Sequence, residues 1–171
     1  ELRKRFTEYV SHPITSGNKW QYISWAKSVD GVGDAKCLPL WNGAGTVKVI
    51  IVDSEKQLAG SELINKVQSY IDEQCPIGAD VTVTTATTVS INVTFSADVD
   101  ESTIESIKAN IRNYLRDVSF ANGYVSYAKI GQTILNTDGV DDYSNLKINS
   151  KTENIAISET EIAVLGGVTV G

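Results

Sequence analysis

With 171 residues, 42% of them hydrophobic and 21% charged, the chain has the composition of a folded protein with one core or two small ones. Asp and Glu outnumber Lys and Arg by 21 to 15, which argues against binding to a nucleic-acid backbone as the main task, because such binding needs clustered basic charge. No apolar run approaches the ~18–20 residues of a membrane-spanning helix, so membrane insertion is not expected.

Residues 1–17 predict a short helix or arm that continues from a region upstream. Leu2 and Phe6 share one side of this segment, and Pro13 ends it because the residue before a proline avoids the α region. The charged start does not resemble a signal peptide. Since the chain contains no Met, we expect Glu1 to lie within a longer protein or to follow a processed start.

Residues 18–87 predict a first lobe. An aromatic helical segment, 20–26, precedes two apolar runs, 35–40 and 46–53, and the glycine-rich spacer between the runs predicts a hairpin turn. The second run is apolar on both faces and therefore predicts a central strand. Ser61 is predicted to cap the next helix. The apolar residues of that helix have helical spacing: Leu63, Ile64, Val67, Tyr70 and Ile71.

The stretch 79–97 joins the two predicted lobes and is rich in β-branched residues. Its apolar residues alternate with Thr, Ser and Asn at a period of two, which predicts strands. We place a turn near 86–88. Because neither Gly nor Pro marks that turn, one long strand is the alternative.

Residues 88–171 predict a second lobe. Asp98 is expected to cap a helix with Glu101 at its third position, and the apolar stripe of that helix is Ile104, Ile107, Ile111, Tyr114, Leu115 and Val118. A weaker helix is predicted over 124–136, with Val125, Ala128, Ile134 and Leu135 inward, and strands follow at 146–148, 155–157, 162–165 and 168–170. Strands and helices mix without regular alternation. The predicted class is therefore α+β, with two small mixed lobes that each hold a β-sheet with one or two packed helices.

Residues that commonly carry catalysis are few and isolated. His12 is the only histidine and precedes a proline, and Cys37 and Cys75 are too far apart for a zinc site of ordinary ligands. We expect reduced thiols, with a single bridge between them as the alternative. The glycines at 31–33 and 43–45 lack the strand–loop–helix context of a phosphate site. We therefore expect no enzyme activity, no metal and no cofactor.

The acidic loop from Asp138 to Asp142 carries the remaining chemical hypothesis. Its carboxylates could bind a cation weakly, but the spacing is not that of an EF-hand. We expect a solvated loop, and a small-molecule or cation-binding domain is the alternative.

Several unusual strings stand in a fixed order along the chain. They are Ser16–Asn18, Tyr22–Ala26, Val29–Gly33, Pro39–Val47, Pro76–Val83, Gly139–Tyr143, Leu146–Asn149 and Asn154–Ile155. Together they resemble the C-terminal part of the baseplate J-like family, the wedge proteins of contractile phage tails, tailocins and prophage remnants. The positions that match this family's pattern are Gly17, Asn18, Tyr22, Ala26, Gly31, Gly33, Gly43, Gly45, Pro76, Gly78 and Gly139.

The resemblance implies a structural protein of the tail baseplate, located in the virion and made in the bacterial host cytoplasm. It implies contacts with other copies of the chain and with other wedge and hub proteins around the hub, and neither nucleic acid nor a small-molecule substrate. Trp20, Trp25 and Trp41 are the candidate interface anchors, since large aromatics near loops often fill that role. A cell-surface, adhesin-like β-rich module is the alternative, based on the Thr-, Val- and Asn-rich stretch 81–95.

Overall fold

The computed structural model describes residues 17–171, so the helix or arm predicted before Gly17 lies outside the described residues, as does His12. The chain divides into two compact units, the first ending at Ala86 and the second running from Thr87 to Gly171. Each unit is a small lobe that mixes helices with a β-sheet, which confirms the predicted α+β class.

The described part of the first lobe, residues 17–86, contains two helices and one three-stranded sheet. Its described elements are α1 (Lys19–Ser28), β1 (Val32–Pro39), β2 (Thr46–Asp53), α2 (Ser61–Gln74) and β3 (Asp80–Thr85). Strand β2 lies in the middle, antiparallel to β1 and parallel to β3. The four consecutive residues 49–52 of β2 are all buried, which confirms the central strand predicted from its two-sided apolar pattern.

The core of the first lobe forms where α1 and α2 cover the sheet. Val67 and Ile71 lie one helical turn apart on α2, so they face the sheet together, and neither exposes any surface. They pack in one cluster with Val49 and Ile51, which share a face of β2, and with Tyr22 of α1.

The second lobe is built on a sheet of the same size with different connections. Its described elements are β4 (Thr87–Ser96), α3 (Glu101–Val118), β5 (Tyr124–Val125), α4 (Tyr127–Leu135), β6 (Ser144–Ile148), β7 (Ile155–Ala156) and β8 (Glu161–Val170). Strand β4 is central, antiparallel to β6 and parallel to β8. Strands β5 and β7 form a separate two-stranded pair.

The sheet of the second lobe has one apolar and one polar face. The apolar residues of β4, among them Ile91 and Val93, are fully buried against a stripe on α3 that includes Ile107 and Ile111. The intervening polar residues of β4, Ser90, Asn92 and Thr94, are exposed. The period-two pattern therefore placed each side chain on the correct face.

The join between the lobes differs from both expectations for 79–97. Strands β3 and β4 are separated by Ala86 alone, and they belong to different sheets. One long strand is therefore wrong, and no reversing turn is formed. Residues 87 and 88 already belong to β4, so no turn that would call for Gly or Pro occurs at 86–88.

Both predicted helix caps are wrong by one or two residues. Gly60 occupies the cap of α2 without a side-chain hydrogen bond, and Ser61 is the first helical residue. Asp100, not Asp98, caps α3, because its carboxylate accepts the Thr103 N–H at 2.7 Å. Asp98 and Asp100 both fit the sequence pattern of an N-cap. Asp100 is the cap because its carboxylate reaches the free backbone N–H of the residue three positions later.

The α4 helix and strand β8 also differ from the prediction. Residues 124–125 form β5 rather than the start of a helix, since Ser126 caps α4 by accepting the Lys129 N–H. Leu135, expected inward, is 45% exposed, and Ala128 is exposed too. The runs at 162–165 and 168–170 are one strand, because β8 passes through its two glycines with a single register irregularity.

Candidate interaction site

Two loops of the first lobe meet at one end of its sheet. Residues 40–45 connect β1 to β2, and residues 75–79 connect α2 to β3; we call these two loops together the loop tip. The Asp80 N–H donates to the Gly45 carbonyl at 2.9 Å, which joins the loops at their base.

Hydrogen bonds fix the shape of the β1–β2 loop. The Thr46 hydroxyl accepts the Asn42 N–H at 3.0 Å and donates to the Gly43 carbonyl at 2.7 Å. Leu40 takes a left-handed backbone with φ of 58°, a conformation that is uncommon for a residue with a branched side chain. Its N–H donates to the Thr46 carbonyl at 2.7 Å, which holds the turn closed. The loop thus presents its side chains in a defined direction.

The loop tip is apolar and exposed. Leu40 is 66% exposed, Trp41 is 43% exposed, and Ile77 is fully exposed. Neither loop contains a charged residue. The Lys48 ammonium lies 4.5 Å from the centre of the Trp41 ring, a cation–π contact that orients the indole. Exposed apolar residues on neighbouring loops that carry no charge of their own are typical of surfaces that contact another protein.

The three tryptophans predicted as anchors are not brought together. Trp25 packs on the first lobe's core, with its ring edge-on to Tyr22 at 5.2 Å. Trp20 lies on the same helix, half-buried beneath the Lys19 ammonium at 4.7 Å. Since five residues separate Trp20 and Trp25, they point about 140° apart around α1. Of the three, Trp41 alone belongs to the loop tip.

The family-pattern residues at the start of α1 form a capping arrangement. Asn18 Oδ1 accepts the Gln21 N–H at 3.0 Å, while Gln21 Oε1 accepts the Gly17 N–H at 2.7 Å. A Cβ on Gly17 would stand 3.5 Å from Pro76 of the second loop. Tyr22 and Ala26, one turn apart on α1, are buried. These positions fix the helix against the sheet.

The family-pattern glycines are explained by close backbone packing at one position and by a positive φ at the others. A Cβ on Gly33 would overlap the Asp53 carbonyl, because a β-bulge brings the two strands close there. The others have a positive φ: Gly17, Gly31, Gly43, Gly45, Gly78 and Gly139.

Sequence reasoning missed several polar side chains that complete the sheets. Gln68 of α2 donates to the Val81 carbonyl at 3.0 Å and accepts the Val83 N–H at 2.8 Å, so its amide closes the outer edge of β3. Asn149 accepts the Asn92 N–H at 2.8 Å and extends β4's pairing beyond the end of β6. Gln68 gave no signal, because a helix surface often carries Gln; Asn149 lies in one of the strings that carry the resemblance.

The chemical candidates are dispersed. Among residues 17–171, no three His, Cys, Asp or Glu side chains stand close enough to hold a metal ion. Asp138, Asp141 and Asp142 are exposed. Cys37 and Cys75 are free, so the alternative bridge is not formed, and burial raises the pKa of the Cys37 thiol to about 11. Within the same residues, no helix is both long and apolar enough to cross a bilayer.

These features define a two-lobed α+β module with an apolar surface suited to contact with other proteins. The family comparisons agree with that class. Residues 14–85 match the baseplate J-like central domain, and residues 87–171 match the baseplate J-like C-terminal domain. The chain therefore belongs to the baseplate J-like family, as the ordered strings predicted.

Two relatives and one solved structure illustrate the similarity. The chain is 37% identical over 182 residues to the phage-like element PBSX protein XkdT of Bacillus subtilis, covering 99% of this chain and 52% of that protein. It is 26% identical over 184 residues to the baseplate protein gp47 of Escherichia phage Mu, covering 98% and 49% respectively. The chain thus spans about half the length of these relatives.

The fold is shared with a chain of the cryo-EM structure of the anti-feeding prophage baseplate. The two superpose with a TM-score of 0.71 over 96% of this chain and 40% of the other, at 9% sequence identity.

Proposed function

We propose that this chain is part of a non-enzymatic structural protein of a contractile-tail baseplate. Membership of the baseplate J-like family carries the proposal. The similarity to a baseplate protein of phage Mu and to a chain of the anti-feeding prophage baseplate supports it. The protein resides in the virion, at the tail baseplate, after synthesis in the bacterial host cytoplasm. Its partners are other copies of itself and other wedge and hub proteins, and it binds neither nucleic acid nor a small-molecule substrate.

The loop tip is the proposed wedge contact of the first lobe. Its apolar side chains are exposed while its backbone is held by hydrogen bonds, so a partner can bury them at little cost in ordering. Trp41 is the anchor, because an oriented indole with neighbouring apolar groups is the usual centre of an interface hot spot. Trp25 packs on the first lobe's own core, and Trp20 remains a candidate anchor on α1, outside the loop tip.

Mass spectrometry of particles tests the location. Particles are pelleted after DNA-damage induction of a bacterium that carries the gene. We expect peptides of this chain to be recovered with sheath and tube proteins at a few copies per particle. Recovery from the cell envelope, with none in intact contractile particles, would overturn the proposal and favour the adhesin-like module.

Paired variants test the loop tip. Trp41→Ala and Leu40→Ser should lower incorporation into particles about tenfold or more, the loss expected when an interface anchor is removed. Leu58→Ser is the matched control, because Leu58 is 45% exposed but bridges to Val52, at the other end of β2. Melting temperatures of the purified variants should change little. Equal loss of incorporation in all three variants, or parallel loss of thermal stability, would contradict this role.

A further inference from the structure

The outer edges of the three-stranded sheets are treated in two different ways. A strand at the edge of a sheet carries N–H and C=O groups that face away from its neighbour and can pair with another strand. Edge strands β1, β3 and β6 each have several outward groups that a side chain, a proline or the turning chain blocks or satisfies. Among the described residues, nothing blocks or satisfies the outward groups of β8 from Ala163 to Val170.

Both edges of the first lobe's three-stranded sheet are partly closed, by side chains or by proline. On β3, the Gln68 amide bonds the outward carbonyl of Val81 and the outward N–H of Val83. On β1, the Asp34 carboxylate accepts the outward N–H of Ala35 at 2.9 Å, and Pro39 has no N–H to offer.

The β6 edge of the second lobe is closed by backbone and by a phenol. The N–H and C=O of Ile148 both bond to Lys151, where the chain turns back, at 2.8 and 2.9 Å. The outward carbonyl of Leu146 accepts the Tyr127 hydroxyl at 2.9 Å. No second strand can add here without breaking these bonds.

The register of β8 shows which of its groups face outward. Thr87 donates to the Thr160 carbonyl, and Gly171 donates to the Phe95 carbonyl, which fixes the pairing with β4 at both ends. Groups alternate along a strand, and the irregularity at Gly166 and Gly167 shifts the alternation by one. The residues whose backbone faces outward are then Ala163, Leu165, Val168 and Val170.

This outward row is open and uncharged. Within residues 17–171, these four N–H and C=O pairs bond to no other backbone or side-chain group. Residues 162–170 include no charged side chain, Pro or inward-pointing Lys, the usual means of blocking an edge. The strand is ten residues long, the same length as the central β4.

We propose that the β8 edge pairs with the β8 edge of a second copy of this chain, antiparallel, about a two-fold axis between Gly166 and Gly167. The spacing of the outward residues selects this occupant. Under that axis Leu165 of one copy faces Val168 of the other, and Ala163 faces Val170, so every outward residue meets an outward residue. Each such pair exchanges two hydrogen bonds.

Charge and side-chain direction agree with the two-fold arrangement. Glu161, the one charged residue of β8, falls beyond the paired stretch, so no like charges meet. The outward residues all lean toward the α3 side of the sheet, where Ala163, Leu165, Val168 and Val170 pack on the apolar cluster. Pairing therefore extends one sheet whose apolar face stays on the same side. This inference rests on the proposed function in so far as it assigns a surface to the expected contact between copies.

A disulfide trap tests the geometry. The arrangement places Val164 opposite Thr169 of the second copy as a non-hydrogen-bonded pair, with Cα atoms about 4.5 Å apart, within reach of a disulfide. In a Cys37→Ala/Cys75→Ser background, the double variant Val164→Cys/Thr169→Cys should run as a covalent dimer on non-reducing gels after mild oxidation. Each single variant should run as a monomer on the same gels, because two copies of one position lie about 17 Å apart and cannot form a disulfide.

Sedimentation equilibrium of the unmodified chain tests the affinity. We expect a reversible dimer, and Gly167→Lys should raise its Kd about tenfold or more by placing two ammonium groups beside the axis. Gly167 has room for a side chain, since a Cβ there would stand 3.8 Å from Asn92. Thr94→Lys is the control, because it adds the same charge to the same polar face on the neighbouring strand.

The two proposals fail in different ways. A chain that stays monomeric at about 100 µM, or a double variant that crosslinks no more than the single ones, overturns the β8 pairing. Equal weakening by Gly167→Lys and Thr94→Lys would also overturn it. Absence from contractile particles is instead the failure of the proposed function, and it is read from a separate experiment.

Discussion

The two lobes share an architecture but present different kinds of surface to a partner. Each has a three-stranded sheet covered by helices. The first lobe partly closes its sheet edges and exposes apolar side chains in loops, notably Leu40, Trp41 and Ile77. The second lobe has a polar sheet face and leaves backbone groups open along β8. One lobe thus offers side chains to a partner, and the other offers a strand.

The two lobes also differ in the fluorescent and thiol side chains that they contain. All three tryptophans and both cysteines precede residue 86. Tryptophan fluorescence therefore reports the first lobe, whereas far-UV circular dichroism reports both. We propose that the lobes unfold as separate units, so that the two signals have separate midpoints.

The largest effects should come from matched core truncations. Ile71 and Ile111 are each fully buried on a helix, one in each lobe, so Ile71→Ala and Ile111→Ala should each cost about 2–5 kcal/mol. Ile71→Ala should lower the fluorescence midpoint and speed thiol labelling of Cys37. Ile111→Ala should lower the dichroism midpoint and leave both of those signals unchanged. If Ile111→Ala shifts the fluorescence midpoint equally, the lobes are one cooperative unit.

The next largest effect should come from removing the side chain that bonds the β3 edge of the first lobe. Gln68→Ala leaves a Val81 carbonyl and a Val83 N–H without their partner, at a cost of about 1–3 kcal/mol in urea unfolding followed by fluorescence. Gln57→Ala should change stability little, because that exposed amide makes one contact of 3.4 Å with its neighbour's carbonyl. Similar losses from both variants would show that the Gln68 amide does not hold the β3 edge.

Asn149 provides a smaller test in the second lobe. Asn149→Ala removes two hydrogen bonds to β4, to Asn92 and Ser90, and should cost about 1–2 kcal/mol more than Asn145→Ala. The two asparagines share a left-handed backbone, with φ of 48° and 55°, so backbone strain cancels in the difference. Urea unfolding followed by dichroism measures it. A difference near zero would assign the effect to the backbone alone.

The smallest effect should be the part of the second lobe's pH dependence that comes from the cap of α3. Hydrogen bonds from Thr103 and Ser102 hold the pKa of the Asp100 carboxyl below its ordinary value of 3.8. Its stabilisation of α3 is therefore complete above pH 3.8 and is lost as the pH falls through the lower folded pKa. The α1 cap, Asn18, does not titrate. Asp100→Asn should flatten the acid limb of the dichroism midpoint and leave the fluorescence midpoint unchanged; an unaltered acid limb would contradict this.

Local patterns in the sequence were sufficient for many parts of this structure. The two-sided apolar run of β2 predicted a central strand, and the stripe through Ile107 and Ile111 predicted the long helix of the second lobe. The glycine-rich spacer predicted the hairpin that carries Trp41. These features depend on the periodicity of burial within one element, which is written in consecutive residues. The ordered strings predicted the family, although no single string did.

Only the tertiary structure decided where the non-local partners lie. Strands β3 and β4, on either side of Ala86, belong to different sheets because β3 pairs with β2 and β4 pairs with β8. The choice of Asp100 over Asp98, and the placement of 124–125 in a strand, followed from hydrogen bonds that the local pattern left equally available. Gln68 bonds backbone groups at the β3 edge, whereas no side chain of the described residues does so at the β8 edge. The difference depends on which side chain a helix, distant in sequence, brings to the edge strand.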